Sequence, residues 1–257
     1  MVSEPEVKVA TGLTRRIRTI LSFSYYSGIL VVIRSPGMII FSSTTPFTLV
    51  FFLFVVGGKN YLPIGVIGAT ISILVSAGLF LGADATTYRI QYKFQDFCVA
   101  SPVSAVEYLL GLGLGEITFV APSLAVIIGL YAYLGMINWN FPLVIIIMLF
   151  AWVLASALGF FLSTYILQNR SAFTITSLVT TLLTVIPPVF YSITKIPPNL
   201  RFLAYLVPTT HLSILIQSML GLQKYSLGQI ELSWATLIAF TVFFLVLATY
   251  KARWRQP

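Results

Sequence analysis

The chain reads as an all-α polytopic membrane protein, and three observations predict it. Of its 257 residues, 58% are hydrophobic and only 9% are charged, with a mean hydropathy of +0.96. Soluble domains carry about 25% charged residues, so this chain has too little polar surface to clothe a globule in water. Its apolar stretches are continuous rather than alternating, which excludes a barrel, and a bilayer then leaves only helices, whose backbone groups are satisfied within the segment.

A span needs about 20 apolar residues. Ser35–Gly58 and Asn60–Ala83 carry no charge, and Ile117–Asn169 is long enough for two spans around the turn signal Asn138-Trp-Asn-Phe-Pro142. Ser171–Thr194 supplies another and Leu232–Tyr250 the last, giving six spans at roughly 37–57, 63–87, 107–135, 142–167, 172–190 and 232–250. Thr19–Ile33 is apolar but short, and Arg15, Arg16 and Arg18 precede it. A signal peptide is not expected, since no small-residue cleavage site follows before Arg34-Ser-Pro. On a helical wheel Leu13, Ile17, Ile20 and Leu21 share an arc opposite Arg15, Arg18 and Ser22, so 8–34 is expected to form an amphipathic helix at the interface. Phe202–Gln223 is uncharged, yet Pro208, Thr209, Thr210, His211, Ser213, Gln217 and Ser218 make it too polar for a lipid-facing span. It is expected to be a partly inserted or interfacial helix within an extracellular, re-entrant segment, 191–231.

Charge distribution supports six spans. They place Lys8, Arg15, Arg16, Arg18, Arg34, Arg89, Lys93, Arg170, Lys251, Arg253 and Arg255 on one side and Lys59, Lys195, Arg201 and Lys224 on the other. Eleven basic residues against four put both termini in the cytoplasm of a plasma-membrane protein. A seventh span would export the basic C-terminus and spoil this bias. The net charge of +8 therefore speaks of orientation and lipid headgroups rather than nucleic acid. With Cys98 and His211 each the single residue of its type, cysteine-rich and histidine-rich metal sites are excluded.

Between the second and third spans lies a polar, aromatic-rich stretch from Tyr88 to Tyr108, longer than a turn requires and carrying both charge signs. It ends Ala100-Ser101-Pro102-Val103-Ser104-Ala105-Val106-Glu107-Tyr108-Leu109-Leu110-Gly111. Further on come Ile186-Pro187-Pro188-Val189-Phe190-Tyr191, Ile196-Pro197-Pro198-Asn199-Leu200-Arg201 and Tyr205-Leu206-Val207-Pro208-Thr209-Thr210-His211. With a basic amphipathic helix before six spans, this order resembles the type-2 permease family of ABC transporters, the membrane subunits of drug, polysaccharide and lipid exporters. The family's Pro-Val-Ser followed by an acid and a Gly-containing helix is matched. The Gly-Thr that often stands ahead of it in that family is absent from Tyr88-Arg-Ile-Gln-Tyr-Lys-Phe-Gln.

The resemblance implies a single transmembrane domain that pairs with a second permease chain, as a homo- or heterodimer, around a path for an amphipathic substrate such as a drug, a lipid or a lipid-linked glycan. No Gly-x4-Gly-Lys-Ser/Thr sequence occurs, so the resemblance implies that a separate ATPase subunit holds ATP and Mg2+, and no cofactor is expected in this chain. The segment 88–106 is the expected coupling element. Tyr92, Phe94 and Phe97 would anchor in the ATPase, with Arg89, Lys93, Asp96 and Ser101 around them. The competing reading places these aromatics among lipid headgroups.

Asp84 and Glu116 are the acids nearest the bilayer interior, and neither should face lipid. Asp84 either pairs with Arg89 or caps a helix, or lines a path. Glu116 lies inside the bilayer if its helix starts near Ser104 and at the interface if it starts at Ile117. The prolines at 187, 188, 197, 198 and 208 free backbone groups that protein or water must cover, which favours an outer lid. A lone His211 reads as a helix-start or interfacial residue ahead of a proton relay. Gly111, Gly113 and Gly115 alternate, so no GxxxG seam is expected from them. A membrane enzyme lacks any nucleophile–base or metal constellation. A secondary carrier would call for internal repeats, none of which is evident, and a non-transporting assembly subunit is a further alternative.

Overall fold

The structure, a computed structural model, describes residues 12–93, 101 and 103–251. All regular secondary structure among these residues is helical. Helix α1 runs over Leu13–Arg34 with a wider π-type turn at Tyr25–Ile29, and α2 over Pro36–Gly57. Helix α3 follows over Leu62–Ile90, α4 over Ala105–Tyr133, α5 over Phe141–Ser163 and α6 over Asn169–Thr184. Two shorter helices, α7 (Arg201–Tyr205) and α8 (Pro208–Met219), precede α9 (Leu227–Val246), which continues through a π-type turn to Lys251.

Among the described residues, α1, α3, α4, α5 and α9 are each long and apolar enough to cross a membrane, and a sixth span arises if the bent pair α7–α8 is one. Helix α2 has 22 residues, comparable to these. The protein is a multi-pass membrane protein, and a helix lies at each of the six expected spans, but α6 is not among those long enough to cross and α1, expected at the interface over 8–34, is. The fifth is shorter than expected. It ends at Thr184 because Pro187 and Pro188 cannot continue the helical ladder. Its 16 residues rise about 24 Å, and the buried turn Pro187–Phe190 continues beyond its end.

Helix α3 is the axis of the bundle, buried over nearly its whole length from Gly65 to Thr86. Its small residues allow this. A Cβ at Gly82 would strike the Gly159 carbonyl of α5, and one at Gly78 would meet Ala155 and Ser156. The two backbones therefore touch through Gly78-x3-Gly82 and Ala155-x3-Gly159, the close approach that small residues permit between membrane helices. Against α4, Thr70 and Tyr131 share a buried hydrogen bond of 3.1 Å.

The glycines of α4 depart from expectation. Gly111 and Gly115 form one seam: a Cβ at Gly111 would meet Phe23 and the Ile20 carbonyl, and one at Gly115 would meet Ser27 and Gly28. Four residues apart, they share a helix face, and only Gly113 turns elsewhere, toward Trp152. The α1–α4 contacts advance in step, from Arg16 with Glu107 through Phe23 with Gly111 to Gly28 with Thr118. Helix α1 thus lies beside the first turns of α4 and runs in the same direction. Its outer stripe Leu13, Ile17, Leu21, Tyr25, Ile29 and Ile33 is exposed.

Candidate functional site

The expected coupling segment leaves α3 and enters α4. Helix α3 ends with Tyr92 N–H donating to the Thr87 carbonyl and with Lys93 in the left-handed region at φ 50°, a conformation usually left to glycine or asparagine at a helix end. Tyr92 and Lys93 are exposed, and the Tyr88 and Tyr92 rings lie 6.0 Å apart. Ser101 is half-buried. Phe94, Asp96 and Phe97 lie outside the described residues.

Both flanks of this segment are tied down. Arg89, expected at the rim, turns inward: its guanidinium donates to the carbonyls of Ser163 at 2.7 Å and Ile166 at 2.5 Å. Ser163 is the last residue of α5 and Ile166 lies in the turn that follows, and the carbonyl end of a helix is a favourable place for a cation. Asn169 donates to Gln91 at 3.0 Å, adding a second tie to the start of α6. On the other flank Ser104 caps α4. Its hydroxyl accepts from Glu107 N–H at 3.2 Å, and Glu107 accepts from Ser104 N–H at 2.7 Å. The Ser104-x-x-Glu107 of the Pro-Val-Ser motif is thus a capping box. Arg16 of α1 reaches the same carboxylate at 3.5 Å.

One helical layer deeper, Asp84 of α3 and Glu116 of α4 bring their carboxyl groups to hydrogen-bonding separation. Because α4 begins at Ala105, Glu116 stands about 17 Å from the helix start, inside the bundle, and it is buried. Tyr88, one turn from Asp84, lies near both acids. The pairing of Asp84 with Arg89 is not observed, since Arg89 is committed to the α5 terminus. A carboxylate only accepts hydrogen bonds, so a bond between the two acids requires a proton on one of them.

The proline-rich end lies opposite. Pro187, Pro188 and Pro208 are buried, whereas Pro197 and Pro198 are exposed on the connection. Helices Pro198–Tyr205 and Pro208–Met219 meet at 102°, so 198–219 is no straight span. Thr209 donates to the Leu183 carbonyl at 2.5 Å, close to where α6 stops. Tyr225 donates to Gln217 at 3.0 Å and to Gln223 at 3.2 Å, and Ser192 bonds Gln223. His211 is buried between the Tyr205 carbonyl and Ser233. Sequence reasoning missed this network. Its signal was the density of Gln, Ser, Thr and Tyr in a segment free of charge.

Among the described residues no group of three or more His, Cys, Asp or Glu side chains is arranged to hold a metal ion. No curated protein matches the chain. The family model described as "ABC-2 family transporter protein" matches residues 94–250, beginning inside the coupling segment and running through every helix from α4 to α9. This is a multi-pass membrane chain with a tethered polar segment at one end and a folded-back proline-rich cap at the other; it belongs to the ABC-2 transporter family, the membrane permeases of ABC transporters.

Proposed function

We propose that the chain is the membrane half of an ABC exporter in the plasma membrane, with both termini cytoplasmic. A separate ATPase subunit holds ATP and Mg2+ and docks on residues 88–106. A second permease chain, identical or related, completes the path, and the surrounding lipid is the third partner. The observation that carries this reading is the double anchoring of the segment. Arg89 and Gln91 fasten its first flank to α5 and α6, while Glu107 fastens its second to α1. A push on the segment therefore reaches one body made of α3, α5 and α6 and another made of α1 and α4. Arg89 acts as the clasp beneath the docking surface, and Tyr92, Lys93, Phe94, Asp96, Phe97 and Ser101 supply the surface itself.

Asp84 and Glu116 lie on the seam between these bodies, where a gate would have to part. An apolar groove of about 560 Å3, lined by Ile40, Thr44, Phe47, Phe51, Pro122 and Val126, separates α2 from α4. Its lining supports an amphipathic substrate, such as a drug, a lipid or a lipid-linked glycan. The proline-rich segment 191–231 forms the extracellular lid.

The test is affinity purification of the tagged full chain from its native membranes, with ATPase activity measured in the eluate. Co-purification of an ATP-binding subunit, lost in Phe94→Ala or Asp96→Lys, is the expected result. Wild-type levels of association and ATP-driven export in both variants would overturn docking at this segment. Flux by the purified chain without ATP would instead establish a secondary carrier, and association without any flux an assembly subunit.

A further inference from the structure

His211 occupies a position that its neighbours define fully. Its ring is 1% exposed. Nε2 lies 2.9 Å from the carbonyl of Tyr205, the last residue of α7, and Nδ1 lies 3.1 Å from Ser233 Oγ on α9. One side chain thus ties together both limbs of the 102° bend and the final span. A carbonyl can only accept, so Nε2 carries a hydrogen. In the neutral ring Nδ1 is then an acceptor, bonded to Ser233 only while that hydroxyl turns its hydrogen from the Gln229 carbonyl to the ring. That hydroxyl also lies 2.7 Å from the Gln229 carbonyl, and its single hydrogen serves one acceptor at a time.

Protonating the ring places a cation in this buried position. Among the described residues, the neighbouring elements offer no anion to meet it. From α7, the Tyr205 ring lies tilted beside the imidazole at 5.9 Å and its hydroxyl accepts from Gln229 at 3.2 Å, while Arg201 donates to the Ile196 and Thr194 carbonyls. From α9, Glu231 points to the exposed side. Tyr225 bonds Gln217 and Gln223. Helix α5 has no ionisable residue, α6 carries Arg170, exposed at its first turn, and those of α3, Asp84, Tyr88 and Arg89, lie at the opposite end. A buried charge without a paired counter-charge is strongly unfavourable, and imidazole is the side chain that titrates in the mildly acidic range.

We infer that His211 is a positioning residue that keeps the proline-rich end of the bundle closed in its neutral form and releases it on taking up a proton. Acid on that side favours a state in which α7 and α8 part from α9 and the ring meets water. The sign follows from linkage: the closed state excludes the charged ring, so its advantage is lost as pH falls through the value of the hydrated ring. With the ordinary imidazole value of about 6.5 for the open form, acidifying from about pH 7.5 to about 5.5 raises the open-to-closed ratio about tenfold. The structural claim stands apart from the transport reading above; only its consequence for export rests on that reading.

A single histidine makes the test clean. The full chain, carrying a tag without histidine, is labelled with 15N-histidine and placed in lipid nanodiscs. At neutral pH the ring should show the neutral form protonated at Nε2. Acidification should convert it to imidazolium and, after correction for intrinsic rates, raise hydrogen exchange over Leu206–Ser218 about tenfold. His211→Gln keeps a donor for Tyr205 and an acceptor for Ser233 but cannot take the proton, so its exchange should not respond to acid. Ser233→Ala removes one tie and should raise exchange at neutral pH about fivefold while keeping the acid response. An Nδ1-protonated or charged ring at neutral pH, an acid response surviving in His211→Gln, or unchanged exchange in Ser233→Ala would each overturn the proposal. None of these readouts needs an ATPase, so a failure of ATP-driven export would count against the transport reading alone.

Discussion

At hydrogen-bonding distance inside a bundle, two carboxyl groups cannot both carry charge, and this settles what Asp84 and Glu116 tolerate. An amide can stand in for the protonated partner, because it donates to the remaining carboxyl group as the acid did. Glu116→Gln should therefore stay within about 1 kcal/mol of the wild-type stability, whereas Glu116→Ala leaves Asp84 without its partner and should cost about 1–3 kcal/mol. Thermal unfolding in nanodiscs ranks the two, and equal melting of the Ala and Gln variants would refute a hydrogen bond between the two acids. Arg89 obeys a similar logic. In Arg89→Ala the Ser163 and Ile166 carbonyls lose a charged donor, and the expected destabilisation of about 1.5–3 kcal/mol is read in the same assay. Single-sequence reasoning expected neither acid to face lipid, and in the structure Glu116 is buried and Asp84 half-buried. It could not pair them, because the residues lie on different helices with the whole coupling segment between, and periodicity carries no information about partners on another element.

Between elements, glycine placement decides the fit. The α1–α4 seam brings Gly28 and Gly115 together with no room for a side chain, so Gly115→Val must separate the helices or shift backbone. It should lower stability by about 1–3 kcal/mol. Gly129, on the same helix, has nothing within 4 Å of an added Cβ, and Gly129→Ala should be neutral or slightly stabilising given alanine's higher helix propensity. Parallel melting curves of the two variants check the contrast. The seam was readable in principle, since Gly111 and Gly115 are spaced for one helix face. Attention to alternate positions concealed it, as the intervening Gly113 belongs to a different contact, the one with Trp152. The capping box was more legible, because a Ser followed three residues later by Glu at the head of an apolar run marks a helix start from local chemistry alone. Glu107→Gln should preserve the cap and lose only the Arg16 ion pair, worth at most about 1 kcal/mol with Arg16 67% exposed. Glu107→Ala should lose both, and hydrogen exchange at Ala105–Tyr108 would separate them, with greater protection in the Gln variant than in the Ala variant.

Across the whole molecule, composition fixed the solvent, and length with Pro, Gly and Asn punctuation fixed where the helices lie. The turn chemistry at Asn138–Pro142, and the prolines that stop α6 and bend α7 against α8, left little freedom in the order of elements. Contacts between helices were the illegible part, yet they determine how a force applied at residues 88–106 divides. Helix α3 meets α5 backbone to backbone through Gly78, Gly82 and Gly159, and Arg89 locks their shared end, so these two helices should move as one. Helix α4 meets α3 through side chains, among them the Thr70–Tyr131 bond and the Asp84–Glu116 pair. Side-chain contacts can exchange at lower cost than interlocked backbones, and α1 travels with α4 through the Gly111–Gly115 seam. Spin labels at the exposed residues Ile90 and Leu167 span the first body, and labels at Ser22 and Leu167 span the two bodies. On adding the ATPase subunit with ATP, the first distance should hold while the second shifts by about 1–5 Å, the range of helix displacements in switching proteins. A change of equal size in both distances would mean that α3 and α5 part from each other, and the two-body division would then be wrong.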